Sequence, residues 1–204
     1  MKWVRVPIRT RVLPEEYLAW EREQTEKHEY YDGSIYAMSG GSLRHSRLGL
    51  RMLVALERVL APRGCVVFTS DMRVGIDAGR RYVYPDATVV CGAVQTKPGA
   101  ADVLVNPTIL VEVVSPSSEN VDRHIKWSSY RRLASLTDYV LVSQLTAEIE
   151  IYSRTTEIPW RYQAYGPGER VVLANGAELS VDEIYAGVFE LPPPDDAPPP
   201  DPDP

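Results

Sequence analysis

A glutamate interrupts the apolar run "ILVEVV" at Glu112, and an aspartate opens a second run, "YPDATVV", at Asp86. Both runs have the length and β-branched content of buried strands. An ionised carboxylate inside such a strand costs several kcal/mol unless it is paired, protonated or bound to a metal. In a strand, Leu110, Glu112 and Val114 share one face, and Ile109, Val111 and Val113 the other. Neighbouring strands in matching register bring Asp86 and Glu112 together, where they repel unless a cation lies between them. Mg2+ suits that place, because it takes oxygen ligands and is held by one or two carboxylates, waters and substrate phosphate. A cation so placed polarises a phosphoryl oxygen and activates water, which is the chemistry of phosphodiester hydrolysis.

Such a site needs a further positive charge. The residue two beyond Glu112 is Val114, and the next lysine is Lys126, in "DRHIKWSSY". On a helix after the strand, Asp122, Lys126 and Tyr130 follow at i, i+4 and i+8 and line one face. Packed over the sheet, that helix carries Lys126 to the carboxylates. Plainer accounts compete. Glu112 pairs with an arginine at a wet sheet edge, and Asp86 is a turn residue after Pro85. Lys126 is then a solvated lysine bridged to Asp122, worth about 0.3–0.5 kcal/mol. Tyr130 fits packing or orienting a neighbour. Tyr30, Tyr31, Tyr36, Tyr82 and Tyr84 fit half-buried strand positions better than base stacking. "SPSS" lacks a nucleophile elbow around Ser115 or Ser117 and reads as a turn into a helix capped by Ser117 or Ser118.

These side chains require elements to hold them. Pro14, Glu15 and Glu16 suit the start of a first helix. "HEYYDGSIYAMS" reads as a hairpin turning at Asp32-Gly33. A second helix spans about Leu43 to Leu60 and stops at Pro62 and Gly64. The short strands "CVVFTS", "MRVGI" and "DATVVC" precede "TILVEVV", and a helix from about Glu119 to Ala134 follows. "DYVLVS" and "EIEIYSR" read as a hairpin, "RYQAY" and "RVVLA" as weaker strands, and "SVDEIYAGV" as a short helix capped by Ser180. The order implies a mixed α/β or α+β unit around a single sheet.

The bulk numbers fit one domain over 13–191, an N-terminal arm over 1–12 and a disordered Pro/Asp tail over 192–204. Of the net charge of −6, the tail aspartates Asp195, Asp196, Asp201 and Asp203 carry −4, so the body carries −2 and shows no broad basic face. No apolar run is long enough to span a bilayer, and no signal-peptide core is present, so a cytoplasmic protein without membrane attachment is expected. Cys65 and Cys91 lie outside any zinc-ligand spacing and read as free buried thiols. No Gly-rich phosphate loop follows a strand, so no nucleotide cofactor is expected.

"HEYYDGSIYAMSGGSLRHS", "YPDATVV", "ILVEVVSPSS" and "DRHIKWSSYRRLASLTDYVLV", in that order, resemble the successive motifs of the Uma-two family of restriction endonucleases. That family is placed in the PD-(D/E)XK nuclease superfamily, and the similarity runs from about Leu13 to Leu191. The resemblance implies a restriction-endonuclease-like α/β (α+β) core, a mixed central sheet flanked by helices, and Mg2+-dependent cleavage of DNA, with Mn2+ as a substitute. By position, Asp86 and Glu112 match the acidic metal ligands, and Lys126 matches a migrated motif lysine that stands in for Val114. Glu29, in "HEYYDG", matches a supporting acidic ligand. His45 matches a recurrent histidine of the second helix, a supporting residue alongside Asp122 and Tyr130. Cutting both strands needs two sites, which favours a homodimer. The alternative is a nuclease fold without strong catalysis, serving as a nucleic-acid- or protein-binding module.

Overall fold

Asp32 and Gly33 take positive φ values of 45° and 93°, the backbone that a two-residue hairpin turn demands. β1 (His28–Tyr31) therefore folds straight back on β2 (Ser34–Ala37), with Tyr31 opposite Ser34. The computed structural model describes residues 6–38, 40–116, 118–156 and 159–197. Before the hairpin, Ile8 and Arg9 bond along Ile35 as an ordered part of the expected arm. α1 (Pro14–Glu21) begins on its proline with Glu15 and Glu16 in the first turn. α2 (Leu43–Leu60) has Ser42 as its cap, the hydroxyl accepting from His45 N–H. It ends in a tight turn, Ala61–Arg63, and at Gly64, whose φ is 76°.

The chain continues through β3 (Cys65–Thr69), β4 (Arg73–Ile76), β5 (Arg81–Val83), β6 (Ala87–Cys91), β7 (Thr96–Lys97), β8 (Ala100–Leu104) and β9 (Ile109–Val114). The helix after β9, here α3, is wound as a π-helix over Val121–Lys126 and as an α-helix over Trp127–Tyr130. β10 (Asp138–Ser143), β11 (Ile149–Ser153), β12 (Arg161–Tyr165), β13 (Arg170–Val172), β14 (Glu178–Ser180) and α4 (Val181–Tyr185) complete the order.

The mixed class expected from the element order stands, but the single sheet becomes two six-stranded sheets and a small β13–β14 hairpin. The first sheet runs β2-β1-β5-β4-β8-β7 and the second β12-β11-β10-β9-β6-β3. Only β4/β8 and β9/β10 pair in parallel among the described strands. The chain crosses repeatedly between sheets, so strands adjacent in sequence, such as β3 and β4, lie in different ones. Alternation along a strand reveals its faces but not its sheet.

Three apolar clusters follow from this layering. α2, α4 and the small hairpin cover one face of the second sheet through Leu48, Met52, Leu56, Val111, Val140 and Ile184. The facing sides of the two sheets meet α3 through Val74, Val83, Leu110, Leu141, Tyr130 and Leu133. α1 seals the outer face of the first sheet, where Tyr17 stacks on Tyr30 and Tyr82 at 5.1 and 5.4 Å between ring centroids. Packing is thus the role of Tyr30 and Tyr82. A buried polar chain pins α1 from below: Arg73 Nε donates to the Tyr84 hydroxyl (2.8 Å), which donates to Glu21 Oε1 (2.9 Å).

Several expectations change. α3 stops at Tyr130 rather than Ala134, because Leu133 and Leu136 turn inward to the core between the sheets. β5, β7, β8 and β14, of two to five residues, are not among the strands read from the sequence. Cys65 and Cys91, expected as free thiols, stand opposite one another on β3 and β6 and are joined as a disulfide. Of the Pro/Asp tail, residues 192–197 are described, with Ala197 N–H donating to Pro194 O (2.9 Å). Residues 1–5 of the arm, 198–204 of the tail, and Ser117 as a candidate cap lie outside the described residues. Ser118 does not cap but exchanges hydrogen bonds with Ser115 in a turn.

Candidate active site

β6 runs antiparallel to β9 with Ala87 opposite Val111 and Thr88 opposite Leu110. One step further in that register sets Asp86 opposite Glu112. Asp86 Oδ2 accepts the Val113 N–H at 2.7 Å, and His45 Nε2 lies 3.3 Å from the same oxygen. Glu112 is 4% exposed; its Oε1 accepts the Tyr130 hydroxyl at 2.8 Å, and its Oε2 lies 2.8 Å from Lys126 Nζ. The same ammonium is 3.1 Å from Asp122 Oδ1 and 3.6 Å from Glu29 Oε1. All seven residues singled out in the sequence, Glu29, His45, Asp86, Glu112, Asp122, Lys126 and Tyr130, therefore meet in one cluster. Lys126 is buried rather than solvated, and the partner of Glu112 is this lysine rather than an arginine.

Four elements supply the cluster, and Asp86 joins it from the residue just before β6. Glu29 comes from β1 of the first sheet and Glu112 from β9 of the second, so the cluster lies between the sheets. α2 contributes His45, and α3 contributes Asp122, Lys126 and Tyr130. α3 is anchored along its length. Tyr139 donates its hydroxyl to Asp122 O (3.1 Å), Arg123 pairs with Glu119 and Glu150, and the Trp127 ring stacks on Tyr152 at 4.2 Å. The π-helical turns at Val121–Lys126 coincide with the charged residues, as such turns often do at functional sites.

Two participants were not singled out for the site. Tyr31 donates to Glu29 Oε2 at 3.2 Å; its spacing of two from Glu29 on one strand was the available signal. Gln144, 1% exposed, receives the Ser42 hydroxyl on Oε1 (2.6 Å) and bonds Val114 O through its backbone N–H. It ties the start of α2 to the end of β9, and nothing in "VSQLT" announces this.

The electrostatics follow from burial and excess negative charge. Burial pushes the Glu112 carboxyl well up; Lys126 opposes this, while Asp122, Asp86 and Glu29 add to it. Burial alone would lower the Lys126 ammonium, but Asp122, Glu112 and Glu29 outweigh it and hold the group well above its usual range. Burial, reinforced by Glu112, raises the Tyr130 phenol. Burial works against protonated His45, yet Asp86 prevails and its pKa is raised. One ammonium thus faces three close carboxylates, with Asp86 beside them.

Among the described residues, no group of three or more His, Cys, Asp or Glu side chains is arranged to hold a metal ion. Mg2+ does not require one, since two carboxylates with water and substrate phosphate suffice. The donor set is all oxygen, and Asp86, with a side chain 18% exposed, opens it toward solvent. It fits a hard divalent cation on one condition: Glu112 must give up a present partner, Lys126 or Tyr130, to offer an oxygen.

The sequence model of the Uma2 family, described as "Putative restriction endonuclease", matches residues 14–191. The chain belongs to the Uma2 family. A relative in Synechocystis sp., the uncharacterized protein slr1290, is 37% identical over 179 residues, covering 87% of this chain and 93% of that protein. A second uncharacterized Synechocystis protein, sll1609, is 31% identical over 145 residues, covering 71% of this chain and 82% of its own length. Among solved structures, a nuclease of DUF820 from Anabaena variabilis, itself titled putative, superposes with a TM-score of 0.68 at 18% identity. It covers 87% of this chain and 99% of the other. At that identity the match establishes the fold, which is the restriction-endonuclease-like mixed fold expected from the motifs. Among the described residues, no helix is long and apolar enough to cross a membrane.

Proposed function

We propose that this Uma2 chain is a Mg2+-dependent endonuclease that hydrolyses DNA phosphodiester bonds. The observation that carries the reading is the placement of Asp86 opposite Glu112, with Lys126 delivered to Glu112 from α3 at 2.8 Å. Asp86 and Glu112 would hold the ion, with Glu29 in support, and Mn2+ would substitute. When bound, the cation supplies Lewis-acid polarisation of the phosphoryl group. Lys126 supplies a fixed positive charge that orients the attacking water and stabilises negative charge on the phosphorane. Asp122 and Glu29 hold the ammonium, and Tyr130 holds Glu112. Lys126 thus answers the absence of a lysine at Val114 by reaching the same carboxylate from a different backbone. Two such sites would serve both strands of a duplex if the protein works as a homodimer.

The test is conversion of supercoiled plasmid DNA by the pure protein with Mg2+ or Mn2+. Cleavage is expected in wild type and lost in Asp86→Ala and Glu112→Ala, with the fold intact by circular dichroism. Absence of cleavage on supercoiled, linear and single-stranded DNA would favour the binding-module reading. The engagement of both Glu112 oxygens by protein groups is the observation on that side.

A further inference from the structure

His45 is held on two sides. Its Nε2 lies 3.3 Å from Asp86 Oδ2, and its ring lies against the bare Cα of Gly41. A Cβ built on Gly41 would stand 2.7 Å from His45 Nδ1 and 2.8 Å from Cγ, closer than real Cβ atoms approach, and 3.2 Å from the His45 Cβ, a tight contact. Gly41 is not among the residues with positive φ, so its backbone does not itself demand glycine. The requirement there comes from the imidazole. Gly40, the preceding residue, has nothing within 4 Å of a Cβ built on it. The ring begins from a rigid base, because Ser42 Oγ accepts the His45 N–H (3.1 Å) and donates to Gln144 Oε1 (2.6 Å).

On Asp86, the described contacts converge on one oxygen: Val113 N–H and His45 Nε2 both reach Oδ2. A carboxylate gripped twice on the same oxygen has its plane fixed and keeps Oδ1 for another partner. We propose that Gly41 and His45 form a positioning device for Asp86. The missing side chain at Gly41 admits the imidazole, and the imidazole sets the carboxylate in the orientation that receives a divalent cation. The inference rests on the metal-site reading above and adds to it a cause for the glycine and a role for the histidine. His45 acts through Asp86 rather than as a ligand, with the proton on Nε2 facing the carboxylate.

Calorimetric titration of the chelator-stripped full chain with Mn2+ tests this, with unfolding curves confirming that each variant folds. Wild type and Gly40→Ala should bind alike. Gly41→Ala and His45→Ala should bind roughly 10- to 100-fold more weakly, the usual loss when a group orienting a metal-binding side chain is removed. His45→Gln, whose amide nitrogen falls near the place of Nε2, should regain most of the affinity. Should Gly41→Ala fail to fold, the His45→Ala and His45→Gln pair carries the comparison. Pulsed electron paramagnetic resonance of bound Mn2+ should show no directly coordinated imidazole nitrogen. Equal affinity in Gly41→Ala, His45→Ala and wild type overturns the positioning role while leaving the metal site standing. A coordinated nitrogen makes His45 a ligand and also overturns it. Failure of wild type to bind Mn2+ removes the metal reading and this inference together.

Discussion

Replacing Lys126 by methionine keeps most of the side-chain stem and deletes the buried ammonium among Glu112, Asp122 and Glu29. Its contacts at 2.8, 3.1 and 3.6 Å each correspond to about 5 kcal/mol of gross attraction at an effective dielectric near 20. Most of that is offset by burying the ammonium and by mutual repulsion of the carboxylates, so the gross sum is not the loss. Removing one partner of a buried ion pair costs about 3–5 kcal/mol, which in a chain of this size lowers Tm by roughly 10 °C. The loss depends on pH with a definite sign. Without Lys126 the carboxylates of Glu112, Asp122, Glu29 and neighbouring Asp86 lack their compensating charge, and Glu112 is already raised in the wild type. A carboxyl raised in the folded state contributes stability below its unfolded value and loses it as pH rises through the folded value. The deficit of Lys126→Met relative to wild type is therefore largest at pH 8 and shrinks toward pH 5. Urea unfolding of chelator-treated wild type and variant at both pH values measures it. Mn2+ at about a hundred times its Kd should restore roughly 2.7 kcal/mol to the variant. A deficit below about 1 kcal/mol, equal at both pH values, would refute the reasoning and return Lys126 to the status of an ordinary helix lysine.

Other outcomes follow from the same structure. Glu112→Gln should abolish cleavage yet leave metal-free stability at neutral pH at or above that of wild type, because it removes a charge that burial disfavours; a fall in Tm of several degrees would contradict this. Tyr84→Phe deletes the hydroxyl between buried Arg73 and Glu21 and should cost about 1–3 kcal/mol in urea unfolding, without changing the cleavage rate per folded molecule. Reducing the Cys65–Cys91 disulfide, which closes a separation of 26 residues, should lower stability by about 3 kcal/mol; no change with reductant would mean that the bond is not formed in solution.

The residues of the candidate site were more legible than the architecture. A carboxylate amid "ILVEVV" demands compensation, and alternation assigned its face; only the register with Asp86 had to come from the structure. Helical spacing likewise foretold that Asp122, Lys126 and Tyr130 share one face, although α3 is partly π-wound and ends four residues early. Long elements carried their own signals, as α2 did from Leu43 to Leu60. Long-range pairings did not. The division into two sheets, the Cys65–Cys91 bond, and the bridge from Ser42 through Gln144 to Val114 join residues whose local sequences carry no mark of one another. His45 was legible only by resemblance, and its link to Gly41 depends on a close approach that spacing alone does not reveal.

The meeting of Glu29 and Lys126 across the two sheets has a consequence for how the candidate site is assembled in time. Ninety-seven positions of chain separate these residues, and their contact forms only after both sheets have docked. A ribosome-bound fragment that has folded the β1–β2 hairpin and even β6 still lacks Lys126 and holds acidic groups without their ammonium partner. On the proposed endonuclease reading, cutting ability is then a property of the finished molecule. Partly made or partly unfolded chains would be harmless to the DNA around them, a built-in safeguard that needs no inhibitor.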